Sequence, residues 1–415
     1  VTGWRPAFDR PLVRIGLVAG FAALLVIRMP GVLQGRLWAE EGRVFYEHAA
    51  SMPPWQALFL PYAGYLNLVA NAAPIIARSL VPLEDAPWIV TFIGLIFQCC
   101  PAILLVCARD AWLRSPLVRI AALLLIATAP QVEEVWLQTL HSQFHLALCA
   151  AMILALDIPQ RRLAIFGGVL LFLGPLCGPP ACIMAPLLLA RAAIDRSWTR
   201  LWQTCALGAG AALQVLLFYS HESGRTYGIG PIVLLCVVYI KQIVIPLFGV
   251  KIAIAAVAQL QARIAAHLFP WRAVTASLAL FAAVCAALLR GRQAASIWLF
   301  LAACCTGWIG YYGAIGDNRL GMLAIGGNGR YVFLPEVLSS LAMLALAAGS
   351  QRPERWVARA AVGWLILIGV LDLRTPDLVM KTGPSWRQEV ALWRQDHTHP
   401  IAIWPQGWFM VLNHE

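Results

Sequence analysis

Residues 86–107 read APWIVTFIGLIFQCCPAILLVC, and no Asp, Glu, Lys or Arg interrupts them. About twenty apolar residues cross the hydrocarbon core of a bilayer as a helix, so this stretch alone is a candidate crossing. Outward from it, further runs that meet or approach the same test lie near 12–30, 117–130, 142–157, 163–174, 180–191, 201–219, 271–289, 294–315, 331–349 and 356–373. The 415-residue chain is 60% hydrophobic and 12% charged, against about 25% charged in an ordinary soluble domain. Its mean hydropathy is +0.74. These values exclude a soluble enzyme, a disordered chain and a coiled coil. Long unbroken runs, rather than alternation, argue against a transmembrane barrel. The expected fold is an all-α polytopic membrane protein of about 11 transmembrane helices. The eleven cysteines sit nearly all inside apolar runs without a C-x-x-C pair, and read as small buried hydrophobes.

The net charge of +11 is read as topology rather than nucleic-acid binding, because Lys and Arg collect in cytoplasmic loops. Arg5 and Arg10 precede the first run. Arg109, Arg114 and Arg119 follow, then Arg161 and Arg162, then Arg191, Arg196 and Arg200, then Arg290 and Arg292, then Arg352, Arg355 and Arg359. The intervening loops near 131–141 and 174–180 hold neither Lys nor Arg. This alternation places the N-terminus inside, residues 12–30 as a signal-anchor helix, and residues 374–415 outside. One integral domain is expected over 1–373, with a long first external loop at 31–85, followed by the external tail 374–415. Residues 163–191 read as a tight hairpin around Gly174-Pro175 and Gly178-Pro179-Pro180. Segment 229–270, with Lys241, Lys251 and Arg263, reads as interfacial helices in preference to two crossings.

The first external loop carries Trp38-Ala39-Glu40-Glu41-Gly42, followed by Phe45 and Tyr46. Like-charge repulsion and aromatic neighbours can raise a carboxylate's proton affinity, which prepares a general base or acid. The alternative is a solvated helix start whose acids complement the dipole. Glu41 is preferred over Glu40 because Gly42 beside it would let a substrate approach closely. Downstream, Pro61-Tyr62-Ala63-Gly64-Tyr65-Leu66-Asn67 adds a glycine turn and two tyrosines, as a site wall or an interfacial aromatic belt.

A long first external loop with paired acids, then many helices with short hairpins and a polar external tail, resembles the GT-C glycosyltransferases. These are polyprenyl-phosphate-sugar-dependent membrane enzymes, including the protein mannosyltransferases and aminoarabinose transferases. The W-A-E-E-G-x-x-F-Y stretch at 38–46 and the later P-Y-A-G-Y stretch look like a bacterial branch of that superfamily. The architecture is similar over most of the chain; the motif covers residues 38–46. The usual acidic pair contains Asp, whereas this one is Glu-Glu. The resemblance implies that Glu40 or Glu41 acts as base or positions the acceptor. It implies a sugar donor carried on polyprenyl phosphate, a glycan or lipid acceptor, and membrane lipid as surroundings, with no nucleic acid. It also implies an inner (cytoplasmic) bacterial membrane with the site facing outward. A divalent metal is compatible with the chemistry but not required.

Gly326-Gly327-Asn328-Gly329-Arg330-Tyr331 is a glycine-rich turn ending in a cation, and backbone N–H groups with a guanidinium could hold a phosphate. The alternative is an arginine snorkelling to the interface. Arg319 with Asp317 is a second candidate, read as a local ion pair. Lys241 in an apolar segment needs a partner or a phosphate, and is a weaker companion for Arg330. Glu133-Glu134-x-Trp136 precedes His141 and His145, whose spacing puts both imidazoles on one helix face. Sugar hydroxyls or plain packing suit them better than zinc, since no H-E-x-x-H occurs, and no metal site is assigned. Gly167-Gly168 and Gly208-x-Gly210 read as helix-packing sites. No Walker A loop, dinucleotide fingerprint or nucleophile elbow is present. The rival class is a polytopic transporter or lipid flippase, which explains the helices and buried cations equally well.

Overall fold

The structure, a computed structural model, describes residues 10–158, 160–220, 230–313, 320–326, 328–349, 354–373 and 382–412. Arg5, Asp317, Arg319, Gly327 and Arg352 lie outside the described residues. The chain folds as α1 (Pro11–Arg28), α2 (Leu68–Leu80), α3 (Ala86–Cys107), α4 (Pro116–Ala127), α5 (Ser142–Ala155), α6 (Arg161–Leu176), α7 (Ala185–Asp195), α8 (Trp198–Ser220), α9 (Pro231–Ala265), α10 (Trp271–Gly291), α11 (Ala294–Gly313), α12 (Gly329–Gly349), α13 (Glu354–Asp372) and α14 (Trp386–Gln395). Among the described helices, seven are long and apolar enough to cross a membrane: α1, α3 with its preceding turn, α8, α9, α10, α11 and α12. This is a predominantly α-helical polytopic membrane fold. Residues 161–195 break at Pro179–Met184, but α6 and α7 do not close on each other as the expected tight hairpin; each packs on α8 instead.

Segment 229–270, where interfacial helices are expected, contains two helices that meet at a kink. Residues Pro231–Ala265 continue through a π-helical turn at Tyr239–Val244 and a break at Gly249, where φ is 76°. The run has a mean hydropathy of 2.3 over its best window, and half of that window is buried. Lys241 and Lys251, which suggested the surface, part company. Lys241 is buried and donates to the Ala324 carbonyl at 2.6 Å, whereas Lys251 is exposed.

The centre of the bundle is α5, in which all 14 residues are buried. A helix apolar all round belongs inside a bundle rather than at its edge. Its last carbonyls meet two arginines: Arg200 donates to Ile153 and Leu156 at 2.8 and 2.7 Å, and Arg191 donates to Leu154. Both also reach Asp157. These residues were read as topology signals, yet they satisfy a helix C-terminus, where cations complement the dipole. Gly210 bears out its packing role, because a Cβ there would sit 2.5 Å from the Phe172 carbonyl of α6. Gly208 meets nothing within 4 Å.

Residues 131–141 connect α4 to α5 and are buried almost throughout. A buried connection must find partners for its backbone groups. Gln98 of α3 supplies several: it donates to Val135 and Gln138 and accepts from Leu137 N–H. Gly94 lets the Gln138 backbone approach to where a Cβ would lie, 2.9 Å away.

The tail is not all helix. After α14, strands β1 (Ile401–Ile403) and β2 (Trp408–Met410) pair antiparallel. The tail shares one apolar core with the first loop, built from Leu37, Tyr46, Leu83, Trp386, Trp393, Ile403 and their neighbours. Trp404 N–H donates to the Leu37 carbonyl at 3.1 Å, and Ala39 N–H donates to the Trp404 carbonyl. Arg36 lies buried between the rings of Trp38 and Trp404, 5.1 and 5.6 Å from their centroids, and donates to the Trp136 carbonyl. Loop 31–85, the tail and the 131–141 connection therefore lock at one arginine.

Candidate functional site

A cavity of about 430 Å³ opens where the first loop, the 131–141 connection and α12 meet. Glu40, Tyr62, Tyr65, His141, Gln143, Arg330 and Tyr331 line its polar side, and Pro179, Pro180, Ile183, Phe218, Ile309 and Leu334 its apolar side. Five of the eight residues singled out from the sequence as catalytic or substrate-binding meet here: Glu40, Tyr65, His141, Arg330 and Tyr331.

The paired acids divide. Glu40 is half-buried and lines the cavity. Glu41 is buried and does not line it. Its Oε1 accepts from Thr139 N–H at 2.5 Å and Thr139 Oγ1 at 2.6 Å, and its Oε2 accepts from Trp38 N–H at 3.2 Å. The bond reaches back three residues to Trp38 and ties the carboxylate to its own turn. Burial pushes the Glu41 carboxyl up, while the bonds from Thr139 and Trp38 and the charge of Arg36 pull it down. The Arg36 guanidinium is lowered by the same burial to about 10. Gly42 does not open Glu41 to a substrate either. Gly42 faces no open space: a Cβ there would lie 2.6 Å from Ile403 Cδ1 of the tail. The missing side chain serves loop–tail packing, not substrate approach.

A tight turn builds the opposite wall. Tyr62 N–H donates to the Tyr65 carbonyl at 2.9 Å and Tyr65 N–H back to Tyr62 at 3.2 Å. Ala63 and Gly64 both have positive φ, 54° and 85°, as a type I′ turn requires. Gln214 of α8 pins the turn by bonding both the N–H and the carbonyl of Leu66 at 3.2 Å.

Arg330 stands at the start of α12 with its guanidinium 5.1 Å from the Tyr331 ring centroid. Its guanidinium and its backbone N–H both donate to the Glu134 carboxylate. The anion place expected at the glycine-rich turn is thus held by an internal carboxylate. Gly329 is there for packing, since a Cβ would meet the Gln131 carbonyl at 2.4 Å. Lys241 does not line the cavity and contacts Ala324 instead, so it is no companion of Arg330.

The two histidines also separate. His141 precedes the first helical residue of α5, with ψ at 6°. Its Nδ1 lies 2.7 Å from the Glu134 carbonyl, so Nδ1 carries the proton and Nε2 is the acceptor. Burial pulls its pKa down to about 4, leaving it neutral near pH 7. His145 sits one turn deeper, with ring centroids of Trp136 and Phe333 each 4.9 Å away, and lines no part of the cavity. The shared face inferred from their spacing fails because the helix begins only after His141. Among the described residues, no group of three or more His, Cys, Asp or Glu side chains could hold a metal ion.

The sequence reading missed Gln143, Phe144 and Thr306 in the cavity wall. It also missed Arg28, whose guanidinium donates to the Ala127 and Ala129 carbonyls and to Glu133 at 2.8 Å. A polar residue in the first turn of an otherwise apolar helix was the available signal for Gln143. Arg28 lies inside the first apolar run, where nothing local marks it as a partner for Glu133. No protein-family model, no curated protein and no solved structure matches this chain.

Proposed function

We propose that the protein is a membrane glycosyltransferase of GT-C type, moving a sugar from a polyprenyl-phosphate donor to a glycan or lipid acceptor at the external membrane face. The observation that carries this reading is one cavity joining a carboxylate of the first loop, Glu40, to a guanidinium, Arg330, with an apolar flank for a lipid chain. The acceptor hydroxyl gives its proton to Glu40 as its oxygen bonds the anomeric carbon. The bond from that carbon to the phosphate oxygen breaks, and the electron pair leaves with polyprenyl phosphate. Arg330 stabilises the charge that develops on the departing phosphate. His141 Nε2 accepts from a sugar hydroxyl, and Tyr65 and Tyr331 offer ring faces to the sugar. Glu41 holds the loop rather than reacting. About eleven crossings, an inside N-terminus, an outside tail and a bacterial inner-membrane location complete the proposal.

The test is sugar transfer by the purified chain with defined donor and acceptor. Arg330→Ala is expected to weaken donor use, and Arg330→Lys to recover only part of it because the two-pronged geometry is gone. Unchanged donor kinetics in both would remove Arg330 from the reaction. Reporters fused after Trp55 and after Thr382 should both read as external; a cytoplasmic signal from either would put the cavity on the wrong face. The second reading, a transporter or lipid flippase, draws on one observation: carboxylate oxygens buried without a hydrogen-bond partner among the described residues, such as Glu336 Oε2 and Asp372 Oδ1.

A further inference from the structure

Away from the cavity, Glu336 of α12 is 4% exposed, and its Oε2 is buried with no hydrogen-bond partner among the described residues. It lines a separate void of about 10 Å³ together with Thr128, Pro130, Pro246 and Ser340. A void of that size admits about one water molecule. An unpaired ionised carboxylate at such a depth is costly enough that the group takes up a proton or finds a cation.

The charged groups around it come from every side. Asp372 of α13, Glu133 of the 131–141 connection, Arg28 of α1 and Lys241 of α9 all act on Glu336 electrostatically, and Tyr311 of α11 faces it as a neutral phenol. Three carboxyls therefore face two cations. The cations are already engaged: Arg28 with Glu133 and two carbonyls, Lys241 with the Ala324 carbonyl. Asp372 has one oxygen satisfied by Gln131 N–H at 3.1 Å. The other Asp372 oxygen, Oδ1, is also buried without a partner, but among the described residues Glu336 is the one of the three carboxyls that makes no hydrogen bond. A metal cation is a poor occupant, because the Ala127 and Ala129 carbonyls at the end of α4 are spent on the Arg28 guanidinium and Thr128 Oγ1 on the Leu124 carbonyl.

We propose that Glu336 is a proton-binding site in the membrane interior, served by the adjoining water-sized void and distinct from the Glu40–Arg330 cavity. The carboxylate takes one proton from a hydronium ion, leaving water, and the cluster becomes neutral. This does not depend on the sugar-transfer reading.

Infrared difference spectroscopy on the purified full chain, with and without ¹³C-labelled glutamate, tests it. At neutral pH the wild type should show a carboxylic-acid carbonyl band that shifts on glutamate labelling and on exchange into D2O. The band should vanish in Glu336→Gln and persist in Asp372→Asn. Should Glu336→Gln fail to fold, Glu336→Asp decides: the band should remain but no longer respond to the glutamate label. Absence of the band in the wild type overturns the proposal. So does a band insensitive to the label, which places the proton on Asp372, or one that survives in Glu336→Gln or still shifts with the label in Glu336→Asp.

Discussion

Two Glu-Glu pairs, 40–41 and 133–134, sit on different connections of the molecule and are divided in the same way. In each, one acid is tied into the scaffold: Glu41 to Thr139 and Trp38, Glu133 to Arg28. In each, the other acid belongs to the cavity: Glu40 by lining it, Glu134 by holding Arg330. Adjacent residues on a helical turn point roughly 100–120° apart, so one pair can serve two faces. The difference lies in what the cavity-side acid meets. Glu134 is already matched by a guanidinium, whereas Glu40 is half-exposed to the cavity. A carboxylate that lines the cavity can meet an acceptor hydroxyl, whereas one bonded to a guanidinium sets the charge that its partner presents.

The sharpest way to break this comparison is to exchange the pair members' roles. Glu40→Gln should lower sugar transfer by about 10²–10⁴, the usual loss when a general base is removed, with the thermal midpoint unchanged. If Glu41→Gln, still folded, is instead the inactive variant, the division at 40–41 is reversed. Next in size is the scaffold side of the second pair. Arg28→Met leaves Glu133 buried without its partner and should destabilise the protein by about 3–5 kcal/mol, read as a lower thermal midpoint in detergent. A midpoint within error of wild type would mean that Glu133 finds water or a proton instead. Thr139→Val removes one of the three donors to Glu41, and a hydrogen bond to a charged group is worth about 2 kcal/mol. The midpoint should fall accordingly while transfer chemistry is kept. The smallest effect belongs to Glu134→Gln. Arg330 is one-third exposed while Glu134 is buried, and solvent reaching the guanidinium keeps the pair to about 1 kcal/mol. Freed from Glu134, Arg330 should bind the donor phosphate up to about fivefold more tightly, visible in the donor KM. Weaker binding would show that Glu134 orients Arg330 rather than competing for it.

The sequence by itself determined the class of fold and the position of the acidic loop. Runs such as 86–107 need no tertiary context, because apolar length alone decides whether a helix can cross a bilayer. The residue types at the cavity were legible for the same local reason: Glu40, His141, Arg330 and the turn tyrosines stand out against an apolar background. What each one faces was decided only by tertiary structure. Gly42 reads as room for a substrate and Gly329 as part of a phosphate-holding turn, but the space beside each is filled by Ile403 and by the Gln131 carbonyl, from segments far away in sequence. The histidines share a spacing but not a site, because α5 starts one residue too late. Arg191 and Arg200 look like membrane-side charges, yet they cap the end of α5, and Arg28, inside the first apolar run, holds the end of α4 and the buried Glu133. Glu336 lay unnoticed inside an apolar run. Local pattern fixes which side chains are costly to bury; only the packing of distant segments decides which of them find a partner and which remain open to a ligand or a proton.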